Sequence, residues 1–167
     1  KGQMAGSFGV FSSFSFQASK NMTAGEGGIL CTNDREFAAE CESLMWAGRR
    51  IGRPWYEFHR LGWNYRLTEF QAAVLRAQLA RLDEQTCRRQ RMANYLTAKL
   101  RSIEGIRPLV QDERTTRHGY HIYMFRYDAD VVGIPRQRFV EALVAEGIPA
   151  FGGYVAPLYK TPMFLNK

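Results

Sequence analysis

The chain has little of what several protein classes require. Its cysteines are three, Cys31, Cys41 and Cys87, odd in number and widely spaced with no CxxC pair, which fits reduced cytosolic thiols rather than a disulfide framework. Histidines are equally scarce. His118 and His121 form half of a metal site at most, because carboxylate or cysteine ligands are missing beside them, and a structural role is expected. No apolar run approaches the roughly 18 residues of a spanning helix, so no membrane partner is expected, and no charged-then-apolar signal opens the chain. The nucleotide phosphate loop G-x-x-x-x-G-K-[ST] is absent, since Lys20 lies between Ser19 and Asn21, and no G-x-S-x-G elbow occurs. There is no internal repeat and no low-complexity tract. The sequence opens on Lys1 and stops at Lys167 without a closing element, and we expect both ends to lie inside a longer protein.

What is present describes a globular segment. At 167 residues with 46% apolar content, the chain has the length of an ordinary domain and enough apolar residues for a real core. Lys and Arg outnumber Asp and Glu by 23 to 16, a balance that invites nucleic acid. The cations are scattered, however. The densest run, Arg88, Arg89 and Arg91, falls in a helical pattern as a solvated face, so no nucleic-acid partner is expected.

Periodicity places the elements. Phe14 and Phe16 alternate with Ser13 and Ser15, the period of a strand ending near Gln17. After a turn over residues 21–28, residues 27–32 read as a second short strand entered through glycines. Asn33 or Asp34 caps a helix carrying Phe37, Ala38, Cys41, Leu44 and Met45 and ending around Gly48. Residues 48–66, rich in Gly, Arg and aromatics, read as a long ordered loop, a kind that tends to be functional. Thr68 and Gln71 form a capping box that opens a helical pattern running to Ile103, long enough to break or to bridge two domains. Beyond Gly105, "HGYHIYMFRYD" at 118–128 reads as a strand, Pro135 starts a helix that Gly147 caps, and "IPAFGGYV" resumes in extended form. The fold class is α/β, with a second, α+β lobe at the end.

The most informative stretch is "SFSFQASKNMTAGEGGIL", residues 13–30, where one lysine sits in a loop behind alternating aromatics and ahead of a glycine cluster. A lone loop lysine is ordinarily a surface cation. Here "FSFQASKNMTAGEGGILCTND", followed at a distance by "GWNYRLTEFQAAVLRAQLARLD", closely resembles the DegT and StrS-like sugar aminotransferases, fold type I enzymes that use pyridoxal 5'-phosphate (PLP). The resemblance runs through nearly the whole chain. It implies that Lys20 is the catalytic lysine that bonds the cofactor, that Ser15 binds the cofactor phosphate, and that Asn64 reaches that phosphate from the neighbouring subunit of a homodimer with shared sites.

Chemistry agrees with the assignment, because such a lysine must be neutral to attack an aldehyde and must carry a proton at the substrate carbon. Glycines behind it let the backbone pass close to the cofactor. If Asn64 completes the partner's site, Trp55, Tyr56 and Trp63 are interface anchors.

The resemblance also sets the rest of the expectation. Residues 1–85 would be the remainder of the PLP-binding domain, including the interface loop 48–66, and residues 86–167 the connecting helix and part of a small C-terminal domain. The whole enzyme would move an amino group from glutamate or glutamine to a keto-sugar or keto-cyclitol in the cytoplasm. Its nearest branch is the inosose aminotransferases and aminohydroxybenzoate synthases of aminocyclitol and antibiotic biosynthesis. Gly6, Ser7, Phe8 and Gly9 are followed by Val10 where the family has an acidic residue. The family's cofactor-ring contacts and phosphate cradle precede the position of Lys1. Two alternatives stand beside this reading: a PLP-dependent sugar dehydratase, whose relatives carry His in place of this Lys, and a non-catalytic binding or regulatory module.

Overall fold

The computed structural model describes residues 2–153 and 156–166. Strand β1 (Phe11–Ser15) pairs antiparallel with β2 (Gly28–Thr32), in a register that sets Phe14 opposite Ile29 and Ser15 opposite Gly28. The residues between them, 16–27, are therefore a wide hairpin loop, and Lys20 lies within it.

Helix α1 (Arg35–Met45) starts where the sequence placed it. The Asp34 side chain accepts from the N–H groups of Glu36 and Phe37 at 2.8 and 3.1 Å, which satisfies two donors that the first helical turn leaves free. Helix α2 (Glu69–Leu100) opens on the expected capping box: Gln71 N–H donates to Thr68 Oγ1 at 3.3 Å, and Thr68 N–H donates to Gln71 Oε1 at 3.0 Å. Its 32 residues run unbroken, about 48 Å at 1.5 Å per residue.

The chain divides into two compact units, Lys1–Met92 with Asp112–Ile122, and Ala93–Gln111 with Tyr123–Lys167. The division falls inside α2, so the long helix contributes to both. In the second unit β3 (Ile106–Pro108) pairs antiparallel with β4 (Phe125–Tyr127). Phe139, on α4 (Arg136–Ala145), stacks on Tyr127 at 4.5 Å between ring centres and meets Phe125 edge-on. The short α3 (Ala129–Val132), capped by Asp128, lies between β4 and α4. A 3-10 turn at Leu158–Lys160 and α5 (Pro162–Leu165) follow. Pro135 immediately precedes α4 and Gly147 follows it in the left-handed region, as expected, whereas residues 148–153 form no regular strand, and Tyr154 and Val155 of "IPAFGGYV" lie outside the described residues.

Two expectations need correction. A strand over 118–128 shrinks to β4, because Tyr120 adopts φ +42° and its N–H donates to His118 Nδ1 at 3.0 Å, which turns the chain. The real core anticipated from composition is also missing. Among the described residues the buried apolar side chains are Phe16, Leu75, Ala93 and Ile106, while Phe11, Phe14, Ile29 and Leu30 are exposed on the first sheet and Phe37, Leu44 and Met45 on α1. A two-stranded sheet encloses little volume, so in each unit apolar side chains line surfaces instead of filling an interior.

Candidate active site

Lys20 is half-buried at the end of a tight turn, its N–H donating to the Gln17 carbonyl at 2.9 Å. Gln17 organises that turn twice over, since its Oε1 accepts from both the N–H and the hydroxyl of Ser19 at 2.9 and 2.7 Å. Ser15, the last residue of β1, is exposed, and its Oγ accepts from Gln17 N–H at 3.3 Å. Ser15 and Lys20 thus lie in one short segment of strand end and turn, each hydrogen-bonded to the backbone of Gln17.

The rest of the loop folds back on the strand end. Phe16 N–H donates to Gly27 O at 2.8 Å, and Phe16 O accepts from Ala24 N–H and from the Thr23 hydroxyl, both at 2.9 Å. Gly27 holds φ +137°, where a side chain would be strained, and an added Cβ would sit 3.0 Å from Leu67 Cδ1.

Helix α2 then supplies two glutamines, seven residues and two turns apart on one face, with buried Leu75 between them. Gln71 Nε2 donates to Glu26 O at 2.9 Å. Gln78 donates to Thr23 O at 2.6 Å and accepts from Thr23 N–H at 3.0 Å. Asn21 Nδ2 donates to Gly119 O at 2.7 Å, and Arg117 pairs with Asp83 on α2, so residues 112–122 are tied to the same unit. Sequence reasoning passed over Asn21, Thr23 and Gln78. The signal was the spacing of Gln71 and Gln78 on the face that also carries Leu75.

Asn64 is placed elsewhere. It forms an antiparallel bridge with Trp46, and its neighbours Trp63 and Tyr65 donate their N–H groups to Leu44 and Met45 at the end of α1. Among the described residues no hydrogen bond joins Asn64 to Ser15 or Lys20. Asn64 is exposed, as are Trp55, Tyr56 and Trp63. Arg49 lies among the rings of Trp55, Phe58 and Trp46, 4.4, 4.9 and 6.0 Å from their centres, and donates from Nε to Trp55 O at 2.8 Å.

A groove of about 680 Å³ runs along α1, lined by Glu36, Glu40, Trp46, Arg49 and Ile51 among others, and neither Ser15 nor Lys20 lines it. Among the described residues no helix is long and apolar enough to cross a membrane.

The α/β fold of the chain is that of part of the fold type I aminotransferases, as its solved structural neighbours show. The chain belongs to the DegT/DnrJ/EryC1/StrS aminotransferase family, which it matches over residues 1–167. It is 39% identical over 175 residues to the L-glutamine:2-deoxy-scyllo-inosose aminotransferase of Streptoalloteichus tenebrarius, covering 98% of this chain and 41% of that one. It is 39% identical over 171 residues to the 3-amino-5-hydroxybenzoate synthase of Amycolatopsis mediterranei, covering 98% and 42%. The crystal structure of a 3-amino-5-hydroxybenzoic acid synthase superposes with a TM-score of 0.84 at 37% identity, covering 98% of this chain and 42% of the other. The chain therefore spans about two-fifths of the length of these relatives.

Proposed function

We propose that the whole protein is a PLP-dependent aminotransferase that moves an amino group from glutamine or glutamate to a keto-cyclitol or keto-sugar. The observation that carries this reading is the Lys20 loop: a lysine held by its own backbone turn, five residues from a serine hydroxyl, in a chain that matches the family along its full length. The names of the inosose aminotransferases among the relatives favour glutamine as donor and a cyclic ketone as acceptor.

The residues present suit the cofactor. Lys20 is the primary amine, Ser15 carries a hydroxyl exposed at the strand end, and the side-chain-free Gly27 keeps the returning backbone narrow. When bound, PLP supplies the electron sink for the transfer. Lys20 Nζ would hold the cofactor covalently, and the same amine would serve as the proton carrier, taking a proton from the amino-bearing carbon of the donor and returning one to the product carbon. The Ser15 hydroxyl would donate to a phosphate oxygen, and Asn64 of one subunit would do so at its partner's site, in a homodimer whose aromatic loop 48–66 would lie at the interface.

Residues 1–85 then belong to the cofactor domain and residues 86–167 to the connecting helix and part of the small domain, apart from residues 112–122, which group with the first unit. The compact units support a change of domain along α2. Apolar faces left open on β1, β2 and α1 are surfaces for parts of the longer protein to cover. Three free cysteines favour a reducing, cytoplasmic setting.

The test uses full-length protein with added PLP. Borohydride reduction should fix the cofactor on the peptide containing Lys20, and glutamine should lose its amino group beyond one equivalent per site only when a keto-cyclitol such as scyllo-inosose is supplied. Absence of label on Lys20, or label on another lysine, would overturn the reading.

A further inference from the structure

The Lys20 loop is restrained by a residue far from it in sequence. Gln78 meets both backbone groups of Thr23: its Oε1 accepts the N–H at 3.0 Å and its Nε2 donates to the carbonyl at 2.6 Å. A two-point contact fixes the rotation of the residue as well as its position, whereas one hydrogen bond leaves it free to swing. The Thr23 hydroxyl donates to Phe16 O and accepts from Gly25 N–H at 3.0 Å, and Ala24 N–H bonds the same Phe16 carbonyl. The restraint therefore passes from α2 through Thr23 to Phe16, which sits between Ser15 and the turn that ends at Lys20. Asn21, next to Lys20, is held independently by its donation to Gly119 O. Only a carboxamide suits position 78, because it presents a donor and an acceptor at one tip; a carboxylate offers acceptors alone and a thioether offers no donor.

We infer that Gln78 is a positioning residue for Lys20: by clamping Thr23 it sets the loop in which the amine and the Ser15 hydroxyl face one cofactor. This rests on Lys20 being the lysine that bonds PLP.

The test compares full-length wild type with Gln78→Met, which keeps size and helix propensity but makes neither bond, and Gln78→Glu, which keeps only the bond from Thr23 N–H. In cofactor-free protein, amide hydrogen exchange at Thr23 and Ala24 should quicken about tenfold in Gln78→Met, with α1 and the β3–β4 pair unchanged. Coupling of added PLP to Lys20, followed by absorbance and verified by borohydride reduction and peptide mass, should slow about tenfold in Gln78→Met and less in Gln78→Glu. Exchange that quickens across the whole protein would mark Gln78 as merely structural and overturn the positioning role. So would a wild-type coupling rate in Gln78→Met, or unchanged exchange at Thr23. A wild type that never labels Lys20, behaving like Lys20→Ala, overturns the cofactor reading itself and the inference with it.

Discussion

Residues 16–27 and 48–66 are both glycine-bearing loops, and they are held by different means. The first is clamped by side chains arriving from α2, with Gln71 on Glu26 and Gln78 on Thr23, so that two of its residues are fixed by partners distant in sequence. The second is held chiefly by its own backbone against the end of α1, with Ala47 N–H on Trp63 O at 2.8 Å, Trp63 N–H on Leu44 O at 2.7 Å and His59 N–H on Gly48 O at 2.9 Å. Its aromatic side chains are left exposed, Tyr56 at 82%. A loop that positions a reactive amine needs its backbone immobilised from within the molecule. A loop that presents aromatic groups to a second surface needs a stiff frame and free side chains.

The difference is broken most severely at Lys20. Lys20→Ala in the whole protein should lower transamination by more than about a thousandfold while circular dichroism and melting stay close to wild type, because anchor and proton carrier are lost together. Near-normal turnover would remove the lysine from its role. Lys20→Arg should do no better, since a guanidinium stays protonated.

Complementation sharpens the comparison by asking whether the two loops serve different subunits' sites. Lys20→Ala and Asn64→Ala subunits, mixed equally under exchange, should recover toward about a quarter of wild-type activity if sites are shared, as half of the dimers are mixed and half of their sites intact. A mixture no more active than the mean of its parents returns Asn64 to its own subunit.

At the next level, Ser15→Ala should weaken PLP retention by roughly ten- to a hundredfold, the worth of a charge-assisted hydrogen bond of about 1.5–3 kcal/mol. Dialysis against graded PLP measures it, and unchanged affinity would clear Ser15 of phosphate binding.

The aromatic loop is broken through its backbone. Gly48 is buried at φ +81°, and a Cβ there would run into the Arg60 carbonyl. Gly48→Ala should cost about 1–3 kcal/mol in a denaturant titration and loosen Asn64 without altering exchange in residues 16–27.

The smallest effect lies at Asp112. Its carboxyl is held below the usual range, first by the side-chain hydrogen bonds from Arg114 Nε and Nη2 and then by Arg114 N–H. A carboxyl depressed in the folded state stabilises above its unfolded pKa, and that contribution fades as pH falls through the folded value. The turn at 112–115 should therefore loosen only in acid, and Arg114→Ala should raise the Asp112 titration midpoint in an NMR titration.

Much of this was legible before any coordinates. Capping chemistry is local, so Asp34 and the Thr68–Gln71 pair declared their helices, and the period-two pattern of residues 13–16 declared β1. Other features were hidden for a physical reason. Residues 118–121 have strand-like composition but turn at Tyr120, and nothing in their own pattern tells of Gly119 bonding Asn21 across 98 positions.

By itself the sequence determined the α/β class, the family, the starts of both long helices and the lysine to test, because periodicity, caps and motifs act over a few residues. Only the tertiary structure decided what holds that lysine's loop. Gln78 and Thr23 are 55 residues apart, and their pairing depends on how α2 lies against the β1–β2 hairpin. A hydrogen bond across that distance leaves no mark in local composition, since any carboxamide on a helix reads alike until its partner is known.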